Sequence, residues 1–229
     1  YAYCILSAAN LAKALGLRKI SAIEFGVAGG NGLIMAEYHA KKVEEETGVE
    51  VEVYGFDTGE GLPNPVDYRD IPYIWKSGFY RMDQAALKKR LTRAKLVLGD
   101  VKETVKDFFA NNEVAPVGCI FHDLDFYSST KDSFRIFDLE SHSRLPRIFN
   151  YFDDILGNEA ALYNDYTGER LAIAEYNIEH EQSKIATSYQ FLDVAPFPWH
   201  NKIFVHHDFQ HPDYCKYIGS ADLQNRLEG

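Results

Sequence analysis

The chain has 229 residues, of which 46% are hydrophobic and 25% charged, proportions that suit a globular protein with a sizeable core. A formal charge of −10 and a pI near 5.3 argue against nucleic acid or an anionic membrane as the main partner. No apolar run approaches the ~20 residues that a membrane span needs. The opening Tyr1-Ala2-Tyr3 lacks the basic start of a secretory signal. Three cysteines (Cys4, Cys119 and Cys215) cannot build a disulfide framework, so a reducing, cytoplasmic setting is expected.

Helical and strand patterns then alternate along the chain, which predicts an α/β protein with a mostly parallel sheet. Residues 3–16 place Ile5, Leu6, Ala9, Leu11, Ala12 and Leu15 near helical spacing, and Gly16 suits the left-handed residue that ends a helix. A first strand is expected at 20–26. A helix follows through Leu33, Ile34, Ala36, Tyr38 and Val43 and stops at Gly48. The second strand spans 50–57. Residues 58–80 are rich in Gly, Pro and aromatics and read as a long loop, a kind that is usually functional.

Beyond it, 83–93 look helical, 94–99 form a third strand, and a helix covers about 102–111. The fourth strand is 117–123. The next helix opens at Ser128-Ser129-Thr130, where hydroxyls can cap it, and runs to about 139. The fifth strand is about 147–152, and 169–180 read as a helix. Two β-rich runs, 184–193 and 201–206, close the chain. The short join between them, with Pro196, Phe197 and Pro198, favours an antiparallel hairpin. The expected fold is a Rossmann-like three-layer sandwich, a seven-stranded mostly parallel sheet ending in that hairpin. Residues 1–229 are read as a single domain.

Five groups of residues carry chemistry. Gly26-Val27-Ala28-Gly29-Gly30-Asn31-Gly32 is a glycine-rich strand-to-helix turn that brings a ligand close to bare backbone N–H groups. By itself it also suits plain helix–sheet packing. Asp57, at the tip of the second strand, can accept hydrogen bonds from a ribose diol, and Thr58 to Pro63 would wrap the same mouth. Glu24, just before the turn, is either a cofactor partner or a structural acid. Gly99, Asp100 and Val101 follow the third strand, where Asp100 either accepts from an adenine amine or caps the next helix. Lastly, Asp123 and Asp125 end the fourth strand, and Asp153 and Asp154 end the fifth. Parallel neighbours present these tips at one sheet edge. The crowded carboxylates suit a hard divalent cation with oxygen ligands. The other reading is a set of helix caps and surface ion pairs.

Motif order now resembles class I S-adenosylmethionine-dependent methyltransferases, and more narrowly the macrocin O-methyltransferase family. Three blocks carry the likeness: the G-V-x-x-G turn at 26–30, the acid with G-L-P at 57–63, and D-x-D-x-Y-x-S-T at 123–130 with the D-D pair at 153–154. The G-D-V-K-E-T run at 99–104 fits more loosely, and the match covers about residues 20–155. It implies an O-methyltransferase using S-adenosylmethionine and a divalent metal, with magnesium expected, on a small sugar, polyol or phenol. By the same resemblance Asp123, Asp153 and Asp154 would be the metal ligands. Asp57 would hold the ribose, with Glu24, Gly26, Val27, Ala28, Gly30, Thr58, Gly99, Asp100, Val101 and Asp123 completing the cofactor site. Asp123 is also the candidate proton acceptor. A homodimer is the candidate assembly. The chain departs from the family at Ala28-Gly29, where Trp-Arg is frequent, and at Ser128, where Glu is common.

Two rival functions share the fold. A nicotinamide-dependent oxidoreductase would use the same turn and ribose acid, but no Tyr-x-x-x-Lys pair lies near the crevice and the paired carboxylates would have no task. A non-catalytic binding protein is the other. His122 is expected in the core, because strand alternation turns it away from Asp123. His206, His207 and His211 are expected on a surface edge strand. Residues 64–82, with Tyr68, Tyr73, Trp75, Phe79 and Tyr80, are expected to form a mobile cover over the acceptor pocket, the lid proper lying within 58–82.

Overall fold

The computed structural model describes residues 1–157, 159–191 and 197–219. In chain order the helices are α1 Ala2–Leu15, α2 Asn31–Thr47, α3 Gln84–Arg90, α4 Val101–Asn111, α5 Tyr127–Ser133 and α6 Gly168–Glu179. The strands are β1 Lys19–Phe25, β2 Glu50–Asp57, β3 Lys95–Leu98, β4 Val117–His122, β5 Arg144–Phe152, β6 Ser183–Thr187 and β7 Ile203–Asp208. They form one sheet in the order β3-β2-β1-β4-β5-β7-β6. The first five run parallel, and β7 enters antiparallel between β5 and β6.

Period-two alternation sorts the strand residues into two layers. Ile20 and Ala22 of β1, Val51 and Val53 of β2, and Phe121 of β4 pack against α1 and α2. Ile23 and Phe25, Tyr54 and Phe56, and Ile120 pack against α4, α5 and α6. Gly16 ends α1 with φ 86°, and Gly48 ends α2 with φ 74°, both in the left-handed region that the sequence assigns to them. Asp100 caps α4, its Oδ1 accepting the Lys102 N–H at 2.9 Å.

Several expectations change. The helix expected from 128 to 139 is α-helical only to Ser133 and continues as a 3₁₀ turn through Phe134–Asp138. No hydroxyl caps it. Asp70, in the middle of the long loop, does so instead: its Oδ1 accepts the Ser128 N–H at 2.8 Å and its Oδ2 the Ser128 hydroxyl at 3.0 Å. β5 begins at Arg144, ahead of Pro146. Its register against β4 jumps from Val117–Arg144 to Cys119–Phe149, a bulge that lets the proline sit where no ladder bond is asked of it. The expected strand 184–193 ends at Thr187, and Tyr189–Phe191 form a 3₁₀ turn. Residues 192–193 and Pro196 lie outside the described residues. The antiparallel pair is present, but its connection runs from Ser188 to Lys202 rather than through a tight turn. Among the described residues, no helix is long and apolar enough to cross a membrane.

Candidate functional site

The carboxyl ends of β1 to β5 share one sheet edge, and a cavity of about 640 Å³ opens there. Its floor is the turn after β1. Gly26 has φ 83°, and a Cβ on it would sit 1.9 Å from the Asp123 carbonyl oxygen, so only glycine lets the β1 and β4 ends close on each other here. Asp57 braces the same turn. Its Oδ2 accepts the N–H groups of Val27 at 2.8 Å and Ala28 at 2.9 Å, and its Oδ1 accepts that of Gly59 at 2.6 Å. Three backbone donors therefore already converge on the side chain that the sequence assigns to a ribose. About one of its roughly four acceptor positions is left over.

Gly26, Ala28, Asp57, Thr58, Gly99, Asp100, Val101 and Asp123 all line this cavity. Glu24, Val27 and Gly30 do not. Alternation along β1 turns Glu24 into the α1–α2 layer, where it is 1% exposed and its Oε1 accepts the Tyr1 hydroxyl at 2.7 Å. Burial pushes its pKa up to about 8. Its Oε2 has no hydrogen-bond partner. The Val27 side chain is buried in the core, and the Gly30 N–H donates to the Val27 carbonyl at the head of α2.

Asp123, Asp125, Asp153 and Asp154 also line the cavity. Asp123 is solvent-accessible into the cavity but closely walled by protein. That burial, together with the Asp154 and Asp153 carboxylates, pushes its pKa up to about 7. Burial and Asp154 push Asp125 up to about 8. Asp154 is raised to about 6 by burial, while a 2.8 Å hydrogen bond from Tyr163 opposes the rise. Its Oδ2 is buried with no partner. Asp153 turns outward to Lys202 Nζ at 2.8 Å and the Tyr151 hydroxyl at 2.9 Å.

The acids thus share one chamber, yet among the described residues no three of His, Cys, Asp and Glu stand close enough to hold one metal ion together. Lys202 and Tyr163 draw Asp153 and Asp154 apart. The donor chemistry nonetheless fits a hard cation: every group is a carboxylate, and one buried carboxylate oxygen lacks a partner.

Three residues that contact the cavity's carboxylate segment escape a reading of the sequence. Glu169, the second residue of α6, is fully buried, and its Oε2 accepts the Asp154 N–H at 2.8 Å. Tyr163 reaches Asp154 from a segment with no regular pattern. Lys202 reaches Asp153 from a 3₁₀ turn near the end of the chain. The sequence carries no signal for the last two. An acid opening a helix was visible at Glu169, but its burial was not.

The long loop makes several contacts with the rest of the domain. Asp70 and Ile71 are fully buried, and Ile71 is held at φ 53°, a conformation that a β-branched residue adopts only under tertiary constraint. Asp70 Oδ2 accepts the Val66 N–H at 2.8 Å, Tyr73 donates to the Ala161 carbonyl at 2.7 Å, and Leu62 and the 78–79 turn exchange two backbone hydrogen bonds. Trp75 and Tyr80 line the cavity.

The histidines stand away from it. His122 is buried, stacked on Phe152 at 4.3 Å, with its pKa pushed down to about 3 by burial. His206 and His211 are buried as well, which corrects their expected place on a surface edge. β7 lies inside the sheet, so His206 stacks on Phe137 at 4.0 Å and bonds the Tyr176 hydroxyl. His207, beside them, pairs with the Tyr214 hydroxyl at 2.9 Å.

No model of a known protein family matches the sequence, and no curated protein matches it. Solved structures do. A crystal structure of CalS11, described as a calicheamicin methyltransferase, superposes with a TM-score of 0.55 at 21% identity, covering 89% of this chain and 77% of that one. An apo structure of CalS11, described as a TDP-rhamnose 3'-O-methyltransferase of calicheamicin biosynthesis, gives 0.51 at 21% identity, covering 89% and 78%. At that identity the likeness speaks to architecture, and the chain has a Rossmann-like methyltransferase fold with a seven-stranded mixed sheet.

Proposed function

We propose that the protein is an S-adenosylmethionine-dependent O-methyltransferase acting on a small molecule. Asp123, Asp153 and Asp154 are the carboxylates that a divalent cation, magnesium being the expected one, would have to draw together. The observation that carries this reading is the meeting of two sets of residues in one 640 Å³ cavity: the turn at 26–28 braced by Asp57, and the carboxylates at the tips of β4 and β5. A cofactor site alone would leave those carboxylates without a task. The likeness to CalS11 supports the fold on which such a reaction is carried out.

When bound, S-adenosylmethionine supplies an electrophilic methyl carbon, and a divalent cation lowers the pKa of an acceptor hydroxyl. The chain's own residues do the rest. Gly26 and Ala28 keep the floor low, so that a nucleoside can reach the backbone. Asp57 fixes the turn and has one acceptor position left for a ribose hydroxyl. Asp123 stands at the boundary between the turn and the acid chamber. Its carboxylate can accept the hydroxyl proton as oxygen takes the methyl group and the carbon–sulfur bond breaks. Trp75 and Tyr80 exclude water from the mouth.

Titration calorimetry with S-adenosylmethionine, S-adenosylhomocysteine and NAD tests the reading. Saturable binding of the first two without NAD is expected. Saturable NAD binding alone would replace it with a nicotinamide-dependent oxidoreductase, and silence from all three would leave a non-catalytic protein. Adding magnesium to the cofactor complex is expected to give a further heat that Asp154→Asn abolishes.

A further inference from the structure

The cavity as a whole has an unusual charge make-up. Among its described lining residues are seven aspartates, with Asp132 joining those already named, and a single cationic side chain, Lys102. Two further cations touch these aspartates from outside the lining, Lys202 on Asp153 at 2.8 Å and Arg135 on Asp132 at 3.5 Å. Phosphate and carboxylate groups are normally received by Arg or Lys, or by free N–H groups at helix N-termini. In both helices that start on this rim, one of those donors is taken by the chain's own carboxylates. Asp100 takes the Lys102 N–H of α4, and Asp70 takes the Ser128 N–H of α5.

Opposite the acids stands an aromatic wall. Trp75 and Tyr80 pack with ring centroids 5.9 Å apart, and Tyr163 lines the same chamber with its hydroxyl on Asp154. Wall and carboxylates line one shared space. Asp154 lines that space as well, and its Oδ2 is buried without a hydrogen-bond partner.

We infer that the acceptor is a hydroxylated ring compound that is neutral or carries a protonated amine, and that phosphorylated, carboxylated or nucleotide-linked acceptors are excluded. The inference rests on the methyltransferase reading above and narrows its substrate class. Aromatic faces and carboxylates together favour a cationic ring compound by stacking, cation–π attraction and charge. The same field opposes a diphosphate, which a nucleotide-sugar acceptor must bring in.

A matched pair of probes reads this directly. Tyramine and 4-hydroxyphenylacetate share a ring and a hydroxyl and differ in the charge of the side chain. Their binding to the full chain is measured by calorimetry in the presence of S-adenosylhomocysteine, with uridine diphosphate glucose as a third probe. Tyramine is expected to bind at least about tenfold more tightly than the acid, with the preference shrinking at high salt. Asp125→Asn is expected to narrow it too. The more exposed Asp132→Asn serves the same purpose if the first variant does not fold. Binding of 4-hydroxyphenylacetate or uridine diphosphate glucose as tight as that of tyramine, or no binding of tyramine, would overturn the inference. Because S-adenosylhomocysteine binding is recorded in the same titration, loss of cofactor binding would instead count against the methyltransferase reading.

Discussion

Replacing Asp70 with alanine removes the bond that ties the long loop to the sheet edge. The carboxylate is fully buried and accepts three hydrogen bonds, from the Val66 N–H, the Ser128 N–H and the Ser128 hydroxyl, at 2.8, 2.8 and 3.0 Å. The hydroxyl can rotate toward another acceptor, so the lasting loss is two backbone donors. Each one left unsatisfied away from water costs about 1–3 kcal/mol. The carboxylate also faces the first turn of α5, which adds about 0.3–1 kcal/mol. Against this, the variant no longer desolvates a charge, which offsets part of the loss. A net destabilisation of about 2–4 kcal/mol follows. Asp70→Asn keeps one acceptor oxygen but places an amide where the second donor needs an acceptor, so it is expected to lose roughly half as much. Urea denaturation followed by circular dichroism gives the magnitude, and hydrogen exchange gives the place. The amides of Val66 and Ser128 are expected to lose protection well before those of β1 and β4. A loss below about 1 kcal/mol with both amides still protected would show that Asp70 does not anchor the loop.

Gly26→Ala combines a φ of 83° with a Cβ 1.9 Å from the Asp123 carbonyl, so a loss of about 3 kcal/mol or more in thermal unfolding is expected, along with loss of any cofactor response. Asp57→Ala is expected to weaken S-adenosylhomocysteine binding by about 2 kcal/mol or more, read by calorimetry, because the turn loses its three-way brace as well as a ribose acceptor. Glu24 has a folded pKa near 8, raised by burial from 4.5, so its contribution to stability is complete below about pH 4.5 and is lost as pH rises through about 8. Glu24→Gln is therefore expected to flatten that slope, gaining on the order of 2–3 kcal/mol relative to the native chain between pH 5 and 8 in parallel urea titrations; parallel curves for the two proteins would show that the acid ionises freely.

Order and type of the elements were legible because alternation and helical spacing report burial directly. The strand at 20–26 and the helix ends at Gly16 and Gly48 were marked in this way. At the candidate site, the residues that belong to strand tips were legible for the same reason: Asp57, Asp123, Asp153 and Asp154 do meet at one edge. What was lost depends on contacts between distant parts of the chain. Asp70 caps a helix 58 residues away. Lys202 draws Asp153 aside across 49 residues, which leaves the carboxylates in one chamber without a shared coordination sphere. His206 looked like a surface residue because the sequence does not say that β7 slips inside β6. Glu24 followed the parity rule that applied to His122, and the motif drew it toward the cofactor against that rule.

The strand order β5-β7-β6 has a consequence for synthesis of the chain. β6 is made before β7, yet β7 is its partner in the sheet and separates it from β5. While residues up to about 200 have left the ribosome, β5 carries an open edge and β6 has nothing to pair with. A slot one strand wide, about 4.8 Å from each neighbour, waits for Ile203–Asp208. The last strand therefore closes the sheet in a single late event. Until then a β7 from a second nascent chain fits the same slot, so translation stalled in this window is the stage at which the protein is most open to strand exchange and aggregation.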